Sequence, residues 1–227
     1  WSGLAVVVEV DDHALTLSAV GAEDQKVRLL GQQVIPALNL LAWKNRLLDA
    51  LANACVRHSR RDPRDSAQAE QMLFDQLDRA LETYRKGQLV ELDVQAEHWY
   101  QNLILRPEEV AGFCTSLVQQ AVKGMELLLG PIAVQDAVQE VLLTETAGRL
   151  PGLAAALEKA TGDKAPATLL AGDAAAQAAQ RLAGRVSRGD LPRGHLGSVF
   201  PFSGGHAPAS LVNHQPKRVL PLRTADL

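Results

Sequence analysis

The sequence predicts an α/β fold with a mixed sheet and flanking helices, and three observations carry that prediction. Residues 4–10 and 14–19 are apolar strand segments separated only by Asp11, Asp12 and His13, the spacing of a hairpin. Residues 37–58 and 67–86 repeat apolar side chains at helical spacing over several turns. Residues 140–161 read as strand, polar turn and helix, the unit with which α/β folds present a helix N-terminus to a ligand.

Taken in order, residues 26–33 give a third strand of mixed pattern after the hairpin. The first long helix places Leu38, Leu41, Leu48, Leu51, Ala52 and Cys55 near one face. Residues 58–66 form a charged loop around Pro63 whose neighbouring arginines and aspartates neutralise one another in solvent. The second long helix carries Leu73, Leu77, Ala80, Leu81 and Tyr84 on one side, and Gly87 closes it. Residues 89–94 and 98–105 alternate as hairpin partners. Pro107, Glu108 and Glu109 open a helix that runs to Gly130 and Pro131 with Phe113, Leu117, Val118, Ala121, Met125 and Leu128 inward.

The stretch at 140–161 organises the chain. Val141, Leu142 and Leu143 form a continuous apolar run, expected for a strand covered on both faces. Residues 144–149 form a tight turn in which Gly148 is free to take positive φ. Pro151 sits near the first position of the next helix, and Gly162 ends that helix. Residues 167–170 make a short strand. Asp173 then caps an alanine-rich helix to about residue 186, whose small side chains suit close packing.

From Ser187 the composition turns to Gly, Pro, Ser, His and Arg, and neither period persists. Short apolar islands at Val199-Phe200, Leu211-Val212 and Val219-Leu220 leave two readings, a linker or a tail wrapping the body. Arg188-Gly189-Asp190 is a chance tripeptide in a basic loop.

The 227 residues are 47% hydrophobic and 22% charged, enough chain for a sizeable core. A formal charge of −3 argues against binding nucleic acid through phosphate neutralisation. No apolar run has the length of a membrane span and the start carries no signal-peptide pattern, so the expectation is a cytoplasmic protein without membrane partners. The chain opens on Trp1 rather than Met, which points to a fragment with part of the protein preceding it. Cys55 and Cys114 lie in helical patterns and read as buried free thiols. The six histidines lack the spacing of a zinc site, and no phosphate-binding P-loop, nucleophile elbow or dinucleotide fingerprint occurs. Glu9, Asp11 and Asp12 form an acidic turn that reads either as a solvated hairpin tip or as a turn rescued by a divalent metal.

The order of these residues resembles the second lobe of the actin-like ATPases of the seventy-kilodalton heat-shock chaperone type. That family carries an apolar strand, a Gly-Gly-Ser-Thr-Arg turn, then Ile-Pro and a helix. Here the run is Glu145, Thr146, Ala147, Gly148, Arg149, Leu150, Pro151, with the Arg-apolar-Pro frame kept and both leading glycines replaced. The family's first hairpin wraps the phosphates with an aspartate and three glycines, where this chain has Asp11, Asp12 and His13. Its next helix opens on paired glycines; residues 37–41 have none, although Trp43-Lys44-Asn45-Arg46 resembles the step that follows. The run from Leu77 to Asp93 resembles the family's upper subdomain, whose helix clamps adenosine; allowing a one-residue shift, Asp75, Asp78, Arg79 and Glu82 match the clamping positions.

The resemblance spans most of residues 4–186 and implies a ribonuclease-H-like mixed sheet, with an inserted α+β subdomain. Residues 1–36 and 131–186 would form the main subdomain, 37–130 the inserted upper subdomain, and 187–227 a tail or linker. Asp11, Asp12, Asp75, Arg79, Gly148 and Arg149 occupy positions of nucleotide contact, with no catalytic residue among them. Carboxylates where backbone amides should face an anion oppose a triphosphate. The chain is therefore expected to require no cofactor and to act as a non-enzymatic interaction scaffold. Its partners would be the missing first lobe and a co-chaperone or client. The resemblance also admits a working ATPase completed by a first lobe, with ATP or ADP and Mg in the intact parent, and an actin-like cytoskeletal or assembly scaffold.

Overall fold

The structure is a computed structural model that describes residues 2–23, 26–132, 137–162, 165–190 and 199–201. Three antiparallel strands come first: β1 (Gly3–Val10), β2 (Leu15–Glu23) and β3 (Lys26–Ile35). Two helices follow, α1 (Leu40–Ser59) and α2 (Ala67–Arg85), then the hairpin β4 (Val90–Ala96) and β5 (Trp99–Leu105). Next come α3 (Pro107–Phe113), α4 (Thr115–Leu129), β6 (Val138–Leu143) and the single turn α5 (Glu145–Gly148). The chain continues through α6 (Leu153–Ala160), β7 (Ala167–Leu169), α7 (Ala174–Ser187) and β8 (Val199–Pro201).

The main sheet is mixed, in the order β7-β6-β1-β2-β3-β8, and the β4–β5 hairpin stands as a separate sheet. β1 runs antiparallel to β2 and parallel to β6, and β6 runs parallel to β7. Alternation decides which face is covered. Leu4, Val6 and Val8 of β1 and Leu15, Leu17 and Ala19 of β2 are buried. α4 lies against this face, with Gly124 leaving room for the side chains of Leu17 and Ile35. One continuous apolar cluster extends from these strands through Trp43, Leu47 and Leu51 of α1 to Leu73, Leu77 and Leu81 of α2 and Leu92 and Leu103 of the hairpin. The spacing of four residues within each helix keeps those side chains on one stripe.

Local chemistry accounts for the helix limits. The Asn39 side chain accepts the amide of Ala42 at 2.8 Å and starts α1, and Arg60 ends it in the left-handed region with φ 60°. Ser66 caps α2 through the amide of Ala69 at 3.4 Å.

Four expectations from the sequence are corrected. The single helix expected from Pro107 to Gly130 breaks at Cys114, and the Phe113 carbonyl beside the break accepts Nε of Arg46 at 2.8 Å. Val141 and Leu143 are buried but Leu142 is only half-buried, so β6 is not sealed on both faces. The alanine-rich helix α7 forms behind Asp173, yet it buries no side chain, and Asp173 accepts the Gln177 side chain at 2.8 Å instead of capping a backbone amide. Its small residues are therefore not packed against a neighbour among the described residues. Beyond Ser187, where no element is expected, Val199–Pro201 adds β8 antiparallel to β3 at the sheet edge. The islands at Leu211-Val212 and Val219-Leu220 lie outside the described residues.

Candidate functional site

β1 and β6 are parallel neighbours with Val8 opposite Leu143, so the turns after both strands emerge at the same edge of the sheet. The Thr144 amide donates to the Val8 carbonyl at 3.0 Å and ties them together. α1 begins at the same place, because the Leu40 amide donates to the Asp11 carbonyl at 2.8 Å. The carboxyl edge of parallel strands is where α/β folds place ligands. Asp11, Asp12, Gly148 and Arg149 all lie there.

The β1–β2 turn is closed by its own acid. One carboxylate oxygen of Asp11 accepts the His13 amide at 2.7 Å and the Ala14 amide at 2.8 Å. The Asp11 amide donates to the Ala14 carbonyl at 3.1 Å. The amides of Ala14 and His13 hold the Asp11 carboxyl below the usual carboxylate range. Asp12 is exposed beside it. The His13 and Ala14 N–H groups are thus already bound to a carboxylate of the same turn.

The second turn differs from its expected form. Residues 145–148 make one turn of helix, and Gly148 does not adopt positive φ. Gly148 serves close packing instead, since a Cβ there would overlap the Leu169 side chain. Positive φ falls at Gly152, with φ 77°, as the residue before α6. Pro151 consequently precedes the cap rather than opening the helix. Gly162 ends α6 with φ 78°, as the sequence predicts.

Two polar atoms in this turn, Thr144 Oγ1 and Arg149 Nε, are buried without a hydrogen-bond partner among the described residues. Buried donors of this kind are normally satisfied. Nearby, Glu145 lies close enough to Arg85 to favour its charged form, although the bonded Glu82 is the larger influence. The Gly152 amide donates to the Tyr84 hydroxyl at 2.9 Å, joining the end of α2 to this turn. Tyr84, Thr144 and Gly152 are additions that sequence reading missed as site residues, whereas Glu145 stands in the sequence as the replacement of a family glycine. A Thr followed by a short acidic turn is a helix-start signal that flags Thr144 and Glu145, but nothing local flags Tyr84.

Asp75 and Arg79 are engaged elsewhere on α2. Asp75 accepts the Gln71 side chain at 2.6 Å, and Arg79 donates to Gln76 at 3.4 Å. Of the other two clamping positions, Asp78 pairs with Lys44 at 2.8 Å and Glu82 with Arg85 at 2.6 Å. The hydrogen bond from Arg85 is the main reason the Glu82 carboxyl drops to about 2. All four side chains are therefore already paired with neighbours in the protein.

Among the described residues no group of three or more His, Cys, Asp or Glu side chains is arranged to hold a metal ion, Glu9, Asp11 and Asp12 included. Cys55 and Cys114 are buried free thiols, pushed up to about 11 and about 12 chiefly by desolvation. Among the described residues no helix is long and apolar enough to cross a membrane. No protein-family model matches the sequence, and no curated protein is significantly similar to it.

Proposed function

We propose that this chain is the second lobe of a heat-shock-chaperone-like nucleotide-binding domain, serving as a protein-interaction scaffold with weak or no ATP binding of its own. The strand order β7-β6-β1-β2-β3, antiparallel through the first three strands and parallel where β6 and β7 join, supports a ribonuclease-H-like main subdomain. Residues 37–130 would be its inserted upper subdomain, built from α1, α2, the β4–β5 hairpin, α3 and α4. The partners would be a first lobe and a co-chaperone or client, in the cytoplasm.

The observation that carries the loss of nucleotide binding is the Asp11 turn. A bound anion must displace the carboxylate from the His13 and Ala14 amides and then sit beside two negative side chains. Repulsion at such short range outweighs the gain from two amides. Isothermal calorimetry of the chain with Mg-ATP at about millimolar concentration, which reveals any Kd up to that range, is expected to give no saturable heat. Saturable heat contradicts the proposal.

One observation favours a second reading, in which a first lobe completes a working ATPase. Among the described residues, Arg149 Nε and Thr144 Oγ1 are buried beside the same edge without a hydrogen-bond partner and are suited to an incoming acceptor. ATP turnover by this chain mixed with its first lobe, lost on Arg149→Ala, would select that reading.

A further inference from the structure

The β4–β5 sheet has two unlike edges. On the β4 side, Asp93 donates its amide to Oε1 of Gln76 at 3.0 Å, and Nε2 of Gln76 donates to the Asp93 carbonyl at 2.7 Å. The side-chain amide thus takes the place of a third strand there. An antiparallel ladder alternates between pairs that exchange backbone bonds and pairs that do not. Asp93 turns both of its backbone groups away from β5, so Asn102, its opposite residue, turns both of its own away from β4. The register has no shift from Val90↔Leu105 to Ala96↔Trp99, and Tyr100 and Ile104 therefore do the same. Among the described residues no group bonds these outward N–H and C=O groups.

Edge strands of this kind are ordinarily blunted by lysine, proline or a bulge. β5 reads Trp-Tyr-Gln-Asn-Leu-Ile-Leu, with no charge, proline, glycine or irregular register. Tyr100 and Ile104 are 64% and 58% exposed beside the open edge.

We infer that β5 is an association strand, and that it pairs with β5 of a second copy of this chain, antiparallel about a two-fold axis at Asn102. The sequence around that axis is self-complementary. Asn102 meets itself, and Tyr100 lies opposite Ile104 of the partner subunit, an aromatic with a β-branched residue, a favourable cross-strand pair. All three outward-facing residues come into bonding register at once. Neither β5 brings a charge to the seam. One strand back, the backbones of Asp93 and its counterpart stand about 14 Å apart across three strand spacings, Glu91 and its counterpart stand farther apart still, and the Asp93 carboxylate is engaged within its own hairpin by Asn102 Nδ2 at 2.9 Å and by the Tyr100 hydroxyl. A basic peptide partner would instead call for a free carboxylate at the seam; β5 carries none, and that of Asp93 is already engaged by the Tyr100 hydroxyl and Asn102 Nδ2.

Two variants and the parent chain test this by sedimentation velocity and mild oxidation. The parent is expected to dimerise by about 100 μM, a concentration that saturates a micromolar Kd. Asn102→Lys sets two ammonium groups against each other at the axis while leaving Asp93 a partner, and should weaken the dimer by up to about fivefold. Asn102→Cys should oxidise to a linked dimer, because residues facing each other in a bonded antiparallel pair stand about 5.5 Å apart, within disulfide reach. Glu91→Cys, on the far strand, should not. A parent that stays monomeric, an Asn102→Lys chain that is folded by circular dichroism and dimerises unchanged, or equal crosslinking at positions 91 and 102 overturns the inference.

Discussion

The Tyr84 hydroxyl accepts the Gly152 amide hydrogen at 2.9 Å across 68 residues of sequence. It links the last turn of α2 to the first turn of α6, where a helix N-terminus leaves its amides without intrahelical partners. Tyr84→Phe removes the acceptor and keeps the ring, and should cost about 1 kcal/mol. The expected readout is a lower urea midpoint with an unchanged slope.

Gly152 and Gly148 should respond differently to the same change. Gly152 holds φ 77°, so Gly152→Ala places a side chain in the left-handed region at about 1–2 kcal/mol. Gly148 is helical and faces the end of the Leu169 side chain, which is 40% exposed and has room to turn aside. Gly148→Ala should therefore cost less than Gly152→Ala in thermal or chemical unfolding, and the reverse order would contradict the assignment of the turn.

Much of the fold was legible because its periods are long. The period of two in β1 and β2 and the fourfold spacing of Leu73, Leu77 and Leu81 place those elements within a few residues of where they lie. What escaped was set by tertiary contact. The break at Cys114 is supported by Arg46, 67 residues before Phe113. Which glycine takes positive φ depends on where the helical turns fall: Gly148 lies inside the α5 turn, and positive φ falls at Gly152 before α6. In the site, the Asp11 and Asp12 turn was visible as charge, but its self-capping required backbone geometry. Asp75 and Arg79 lie within α2 as expected, yet their hydrogen bonds run to Gln71 and Gln76.

Acidification should separate two carboxylates. Asp11 titrates below its ordinary value of 3.8 in the folded chain, so its stabilisation is complete above that pH and is lost as pH falls through the lower folded value. Relative to the parent, Asp11→Asn should therefore lose less stability on acidification below pH 3.8. Glu82, held by Arg85 and then Lys86, should titrate near 2 rather than 4.5 by carboxyl carbon NMR, and Arg85→Met should return it toward 4.5.

The two thiols offer a test of the core. Cys55 and Cys114 are each 0% exposed, and burial disfavours the reactive thiolate. A thiol reagent at neutral pH should label neither cysteine in the folded chain and both in denaturant. Rapid labelling of the native chain would contradict the packing of α1 against α2 and of α3 against α4.

The most direct measurement follows the amide resonances of His13 and Ala14 during a Mg-ATP titration. If Asp11 holds those amides against an incoming phosphate, both signals stay in place to about millimolar nucleotide. Saturable shifts of the pair would contradict the account, because they would place an anion where the carboxylate of Asp11 now sits.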